Sequence, residues 1–378
     1  MKYNLHDRIF GLDLMRSAAI LFVVTSHVLW VFPEAQGSWV SLLRLCGVMG
    51  VEIFFVLSGF LIGRILYRIF TSSDFKVSHV SYFLIRRWFR TLPNYYLILL
   101  VNIVIVLYLG RKLPDTLGKY FGFLQNFTSG MDIFFTESWS LPIEEVAYVI
   151  GPLLFYLLIL LLPKRNRAKL FLWVTLVIIL FFLGTKIGYN HITGPSSLEY
   201  WNIQLKAVVL YRIDAIYYGV LAAWVSLKFE TWWRTYTFHS FLIGILLFAG
   251  LHWAIAHFSW GAETTPFLIN VLYLPVCSIC IACSLPFFAR LKRVPIWMKT
   301  PFTFISLISY SMYLLHYSVV LQLMNYWLPP HPYNPITKVF YALCYLIIVV
   351  VLSYLLYRFY EKPMMDLRDR SYFRRKFG

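Results

Sequence analysis

The sequence predicts an all-α, polytopic integral membrane protein with about ten transmembrane helices and both termini in the cytoplasm. Of its 378 residues, 60% are hydrophobic and only 13% are charged, and the mean hydropathy is +0.68. Soluble domains are roughly 45–50% apolar and about 25% charged, so this composition excludes a water-soluble globular fold. The apolar stretches are long and continuous, unlike the short alternating runs of a transmembrane β-barrel.

The apolar runs are each close to the length that a helix needs to cross a bilayer, about 20 residues. They predict helices at about 12–32, 46–69, 92–109, 139–162, 170–185, 208–227, 238–257, 267–288, 302–324 and 338–358. Residues 1–378 therefore form a single transmembrane domain, and about 359–378 form a basic cytoplasmic tail.

The loop charges predict the orientation. With the N-terminus in the cytoplasm, the inside segments hold 25 of the 34 Lys and Arg residues and the outside loops hold 7. Cytoplasmic loops of membrane proteins carry such an excess, so we expect a multi-pass protein of the inner cell membrane. The net charge of +17 has the same explanation, and no nucleic-acid partner is expected.

A Cys-x-x-Cys-x-x-Cys run could suggest a metal site. Cys277, Cys280 and Cys283 lie inside an apolar stretch with no His or carboxylate nearby, so we interpret them as packing residues. The sequence predicts no metal and no permanently bound cofactor.

A charged side chain inside a span costs several kcal/mol of free energy, so each one is a candidate for a functional site. Arg16 and His27 are eleven residues apart, about 16 Å along a helix and about 20° around it, so they share one face. Asp13 lies one turn before Arg16 and could pair with it. Arg16 is predicted in the cytoplasmic half of the first helix and His27 in the outer half.

The same placement predicts a cluster of titratable groups at or above mid-depth on the outer side. Its members are His27, Glu52, Glu144, Glu145, Arg212, Asp214 and His316. Any one of them could be a buried ion pair or an interfacial residue. Together they can supply a base, a residue that orients it and a group that stabilises an anion, which acyl transfer requires.

Three arginines mark the cytoplasmic side. Arg86, Arg87 and Arg90 concentrate guanidinium groups just before the third predicted span, with Arg16 projecting inward from the same side. Guanidinium groups bind phosphates through paired hydrogen bonds, although ordinary cytoplasmic anchoring also explains a basic segment.

Seven motifs in order resemble the membrane-bound acyltransferase family 3, the O-acyltransferases that modify bacterial surface glycans, antibiotics and nodulation factors. The segments are LDLMRSAAILFVVTSH, GVEIFFVLSGFLI, RRWFRTLPNYY, WSLPIEEVAY, YRIDAIYYGVLAA, ISYSMYLLHY and EKP. Pro142, Val146 and Ala147 depart from the family's usual residues, which could reflect another acceptor. The resemblance implies a member without the C-terminal esterase-like domain that some relatives carry.

The resemblance implies transfer of an acyl group, most simply acetyl from acetyl-CoA or another acyl-CoA co-substrate, to a carbohydrate hydroxyl. Acyl-CoA would arrive from the cytoplasmic side and the carbohydrate acceptor from the outer side of the lipid bilayer. An alternative of another class is a transporter or flippase of a lipid-linked glycan, in which the same charges bind substrate without reaction.

The placement of the charged residues and the family resemblance together suggest roles for single residues. His27 would be the general base or, alternatively, carry the acyl group, and Glu144 or Glu145 would orient the imidazole or the sugar. Arg212 or His316 would stabilise the oxyanion, with Asp214 beside them. The predicted donor-binding residues are Asp13, Arg16, Arg86, Arg87 and Arg90. The predicted acceptor-binding residues are Glu52, Ser58, Trp139 and Ser140.

Overall fold

The computed structural model describes residues 8–329 and 334–368, which form helices and connecting loops with no strand among them. The long helices are α1 Phe10–His27, α2 Ser38–Thr71, α3 Val77–Tyr108, α4 Ser140–Leu161, α5 Arg167–Thr193, α6 Ile213–Lys228, α7 Thr237–His257, α8 Tyr273–Arg290, α9 Ile296–Leu315 and α10 Pro335–Leu356.

The predicted all-α membrane fold is confirmed. Within the two described ranges, nine helices are long and apolar enough to cross a membrane. The remaining predicted span, at about 208–227, corresponds to α6, which has only 16 residues. The orientation of the termini stays a prediction. Residues 359–368 of the predicted tail continue α10 through a π-helical turn and the short helix Lys362–Arg368, and 369–378 lie outside the described residues.

Helix α2 lies at the centre of the bundle and packs against α1, α5, α6 and α8. It meets α6 where Gly59 faces the Ile216 carbonyl and Gly219 faces the Val56 carbonyl, with no room for a Cβ at either glycine. Small residues let helix backbones approach closely in membranes, where burial of apolar surface drives association only weakly. This contact holds α6 in the interior despite its short length.

Helix α3 begins fifteen residues before the predicted third span, because its first half is rich in arginine and is not an apolar run. The arginine segment is therefore helical. Glu361, just after α10, fixes the inner part of α3 by accepting hydrogen bonds from Asn94 Nδ2 at 3.0 Å and Ser311 Oγ at 2.5 Å.

The connection 109–139 folds back along α3 before α4 starts. The Tyr95 hydroxyl donates to the Tyr120 carbonyl at 2.8 Å, and the Tyr95 ring stacks on Phe135 with centroids 5.6 Å apart. Tyr95 lies 13 residues, about 20 Å of helix rise, before the end of α3 at Tyr108. Helix α4 consequently starts beside the middle of α3.

Candidate active site

Two cavities lie on either side of a shared wall in the bundle. The arginine cavity, about 90 Å³, is lined by Arg16, Arg87 and Arg90 among others. The histidine cavity, about 820 Å³, is lined by His27 and His316 among others. Val51 of α2 and Tyr313 of α9 line both cavities, so these two side chains form the wall.

His27 and His316 form a pair at the wall of the histidine cavity. His316 Nε2 lies 3.1 Å from His27 Nδ1, and the ring centroids are 4.8 Å apart. His27 is the last residue of α1, and His316 starts the π-helical segment His316–Leu321 that follows α9. Single π-helical turns are frequent at functional sites. The structure thus brings together the two histidines that the sequence predicts at the outer side.

The neighbouring carbonyl groups fix the proton positions on the pair. His316 Nδ1 lies 2.7 Å from the Tyr313 carbonyl, and His27 Nδ1 lies 2.9 Å from the Val23 carbonyl. Carbonyl oxygens only accept, so each Nδ1 carries the proton. His316 Nε2 then accepts from His27 Nδ1–H, a proton that it shares with the Val23 carbonyl. His27 Nε2 keeps a free lone pair and has no hydrogen-bond partner among the residues that the structure describes.

The rest of the histidine cavity combines aromatic faces with a few polar groups. Its aromatic lining comprises Trp30, Phe32, Trp139, Trp201, Trp260, Tyr273, Tyr313 and Tyr317. Lys206 lies over the Trp139 ring, with Nζ 5.4 Å from the centroid, and burial lowers the pKa of Lys206 to about 8. Glu137 also lines the cavity, and its side chain is buried.

The arginine cavity holds three guanidinium groups. Arg16, Arg87 and Arg90 have no carboxylate within ion-pair distance among residues 8–329 and 334–368. Arg87 lies over the Tyr148 ring at 5.5 Å. Glu144 lines the same cavity and accepts from the Tyr148 hydroxyl at 2.5 Å. This is a cationic cavity that matches an anionic group such as phosphate.

The structure separates Glu144 and Glu145 from His27, with which the sequence predicts them. Because α4 starts beside Tyr95, one further turn brings Glu144 to Arg87 on α3. Glu145 accepts from the Thr91 hydroxyl at 2.7 Å and is buried. Neither carboxylate lines the histidine cavity.

The partner of Asp13 also differs from the predicted one. Arg8 holds Asp13 through Nε–Oδ2 at 2.9 Å and Nη2–Oδ1 at 2.5 Å, and Ser306 Oγ donates to it at 2.9 Å. Arg16 makes no ion pair with Asp13 within 4.0 Å. Asp13 pairs with Arg8 and not with Arg16 because Arg8 forms a bidentate contact with it. Arg16 instead lines the arginine cavity. Asp13 thus does not line the cavity but fixes α1 to α9.

Two buried ion pairs account for the other charges that the sequence predicts at the outer side. Arg212 pairs with Glu52, and Asp214 pairs with Lys186; all four side chains are 0–1% exposed. Ser278 Oγ donates to Glu52 at 3.0 Å. None of the four residues lines either cavity. In this arrangement they join α2, α5, α6 and α8.

The predicted acceptor residues divide between the cavities. Trp139 lines the histidine cavity, whereas Ser58 and Ser140 line the arginine cavity. Ser140 Oγ donates to the Tyr313 hydroxyl at 2.7 Å, and Ser58 Oγ lies 2.6 Å from the Tyr148 hydroxyl. The adjacent residues Trp139 and Ser140 thus face opposite sides of the wall.

Sequence reasoning missed three charged residues. Lys186 lies within the helix Arg167–Thr193, so a charge inside a span is the signal that could identify it. The sequence places the end of this span at residue 185, one residue too early. Lys206 and Glu137 lie in segments predicted as loop or loop edge, and only their packing reveals them. Arg86, in contrast, is exposed and lines neither cavity.

Comparison with known proteins decides the family. The acyltransferase domain profile matches residues 9–358, which is nearly the whole chain. The chain belongs to the acyltransferase 3 family. YrhL of Bacillus subtilis (strain 168), provisionally named a peptidoglycan O-acetyltransferase, is 28% identical over 98% of this chain and 57% of its own length.

A second relative matches over a similar part of the chain. The O-acetyltransferase OatA of Staphylococcus aureus (strain NCTC 8325 / PS 47) is 23% identical over 94% of this chain and 57% of its own length. The chain therefore spans less than two thirds of these acyltransferase 3 relatives. No solved structure matches it. Family membership and the apolar helices identify a multi-pass membrane acyltransferase 3 protein.

Proposed function

We propose that this chain transfers an acyl group, most simply acetyl from acetyl-CoA, to a hydroxyl of a carbohydrate at the inner cell membrane. One observation carries the proposal. The His27–His316 pair lies in a large aromatic cavity whose wall is shared with a cavity lined by guanidinium groups. Membership of the acyltransferase 3 family and the names of the relatives support O-acyl transfer.

His27 acts as the general base. Its free Nε2 takes the proton of the acceptor hydroxyl while the hydroxyl oxygen attacks the carbonyl carbon of the thioester. The new C–O bond forms, the C–S bond breaks, and the proton passes from His27 to the departing CoA thiolate. His316 Nε2 accepts from His27 Nδ1–H throughout, which orients the ring and stabilises the imidazolium as an acceptor partner does in a catalytic triad.

The arginine cavity receives the acyl-CoA from the cytoplasm. Its guanidinium groups suit the phosphates of CoA, and its small volume suits the thin pantetheine chain better than the adenine ring. The chain would extend past Val51 and Tyr313 to bring the thioester to His27. Arg16 and His27 are about 16 Å apart along α1, which the extended pantetheine arm can cover.

The histidine cavity receives the acceptor from the outer side. At about 820 Å³ it has the size typical of small-molecule sites, about 300–1,000 Å³. Aromatic rings present flat apolar faces to sugar rings, and a few polar groups fix their orientation. The name of YrhL favours the amino-sugar polymer of peptidoglycan as the acceptor class.

Release of the CoA thiol tests the proposal. Purified protein in lipid nanodiscs, given acetyl-CoA, should release free thiol faster when a carbohydrate acceptor is added, and the acceptor should gain 42 Da per acetyl group. A transporter or flippase would release no thiol with any glycan. Absence of both thiol release and mass gain, with amino-sugar oligomers and intact peptidoglycan fragments alike, would contradict the proposed function.

A further inference from the structure

Glu137 has one carboxyl oxygen that is satisfied and one that is not. The residue lies in the 3₁₀ turn Thr136–Trp139 before α4 and is 4% exposed. Its Oε1 accepts from the backbone N–H of Ser318 at 3.0 Å and from Ser318 Oγ at 2.6 Å. Its Oε2 is buried and has no hydrogen-bond partner among the residues that the structure describes. Glu137 lines the histidine cavity.

A buried polar atom without a partner lowers stability. Because Glu137 lines the histidine cavity, a ligand group in that cavity can supply the hydrogen bond that Oε2 lacks. The two bonds from Ser318 fix the carboxyl in one orientation. Ser318 belongs to the π-helical segment His316–Leu321, so the same segment positions His316 and Glu137. The carboxyl is therefore held in a fixed relation to the His27–His316 pair.

The surrounding surface points to the kind of ligand. Tyr317 lies between His316 and Ser318 in the sequence. Its ring centroid is 5.0 Å from that of His27. Trp139 and Lys206 line another part of the same cavity. A molecule with flat apolar faces and hydrogen-bond donors on its rim matches this surface, as an amino sugar does.

We propose that Glu137 Oε2 binds the acceptor, accepting a hydrogen bond from an O–H or amide N–H of the sugar whose hydroxyl reacts at His27. The inference rests on the proposed function and goes beyond it by assigning the acceptor contact. Glu137 thereby positions the sugar, and His27 acts on it. The donor, in the arginine cavity, makes no contact with Glu137.

Steady-state kinetics of Glu137→Gln test this assignment, with acetyl-CoA as donor and chitopentaose, the pentamer of N-acetylglucosamine, as acceptor. The variant keeps the shape and one oxygen but replaces the other by an NH₂ group. We expect the KM for chitopentaose to rise about 5- to 100-fold, as for loss of a hydrogen bond to a buried polar group. The KM for acetyl-CoA should change less than about twofold.

Two control variants separate binding from structure. Ser318→Ala removes one of the two bonds to Oε1 but keeps the backbone N–H, so its acceptor KM should change less than that of Glu137→Gln. Glu263→Gln removes an exposed carboxylate outside the cavity lining, and its kinetics should match wild type. If Glu137→Gln does not purify as a monodisperse protein, Glu137→Asp, which keeps the carboxyl but shortens it, decides the question by its acceptor KM.

The outcomes distinguish the inference from the proposed function. If wild-type protein transfers acetyl to chitopentaose and the Glu137 variant keeps the wild-type acceptor KM, the inference is wrong and the function stands. An equal rise in both Michaelis constants would also overturn it, since that indicates a general disturbance. If wild-type protein transfers acetyl neither to chitopentaose nor to intact peptidoglycan fragments, the carbohydrate acceptor is wrong and the inference falls with it.

Discussion

The two histidines have unequal roles because their hydrogen bonds differ. His316 uses Nδ1 on the Tyr313 carbonyl and Nε2 on His27, so both of its nitrogens are engaged. His27 lines the histidine cavity and keeps its Nε2 free. The geometry therefore assigns the base to His27 and the supporting acceptor to His316.

His27→Ala should lower acetyl transfer by about 10²- to 10⁴-fold, the usual contribution of general base catalysis. His316→Ala should cost less, because the base remains and only its partner is lost. The measurement is kcat/KM of both variants in nanodiscs, with gel filtration as the folding control. Residual activity of His27→Ala above about a tenth of wild type, or a larger loss for His316→Ala, would contradict the assignment.

Lys206 gives a pH-dependent contribution to stability whose sign follows from its pKa. Burial lowers the pKa from 10.5 to about 8, so between these values the unfolded chain binds a proton that the folded protein has released. Stability rises with pH wherever the unfolded state binds more protons. The melting temperature of wild type relative to Lys206→Met should therefore rise from about pH 8 to pH 10 and stay constant below pH 7. Parallel curves for the two proteins would show that the Lys206 pKa is not lowered.

At the level of the helices, α3 presents its arginines in two directions. Residues 87 and 90 are three apart and share a face, which lines the arginine cavity. Arg86 is exposed and lies against the Tyr82 ring, with 5.6 Å between its guanidinium carbon and the ring centroid. The helix thus supplies donor-site candidates together with a neighbouring arginine of the same charge as a control.

Arg87→Gln and Arg90→Gln should each raise the KM for acetyl-CoA roughly 10- to 150-fold, since hydrogen bonds to charged groups contribute roughly 1.5–3 kcal/mol. The KM for the acceptor should stay near its wild-type value. Arg86→Gln, the matched control, should have little effect on either constant. An effect on the acceptor constant alone, or an Arg86 effect as large as that of Arg87, would place the donor phosphates elsewhere.

The helices were largely predictable from sequence, but the directions of several side chains were not. Apolar runs located every long helix, but α2 begins eight residues before its predicted span and α5 ends eight residues after its own. Helix α3 begins fifteen residues early, because its basic half carries no apolar signal. The first helix was decisive because Arg16 and His27 lie on one face by simple rise and rotation. That Arg16 and His27 would line two cavities divided by a wall did not follow from this arithmetic.

Glu144 shows why the remaining part of the site could not be predicted. Its span was predicted correctly, but the depth at which α4 starts depends on the connection 109–139, which folds back to Tyr95. Such a connection is governed by tertiary packing and not by local hydropathy. Likewise, the partners of Arg212 and Asp214 lie on other helices, Glu52 on α2 and Lys186 on α5, and no local spacing indicates such pairs.

On the scale of the whole molecule, the orientation of the bundle is a prediction from loop charges. The exposed lysines Lys112, after α3, and Lys76, before α3, are predicted on opposite sides.

Cysteine labelling tests the orientation. In a background without the five native cysteines, Lys112→Cys should react with a membrane-impermeant maleimide from outside intact cells. Lys76→Cys should react only after lysis, because it is predicted in the cytoplasm. Labelling of both positions from the same side would mean that α3 does not cross the membrane and that the predicted topology is wrong.

We propose that donor and acceptor reach one reaction centre from opposite faces of the membrane. Acetyl transfer in sealed proteoliposomes of known orientation tests this most directly, with acetyl-CoA confined to one side and chitopentaose to the other. Transfer should occur only when acetyl-CoA is on the side of Lys76 and the oligosaccharide is on the side of Lys112. Equal transfer with both substrates confined to the Lys112 side would show that the donor does not need the opposite face.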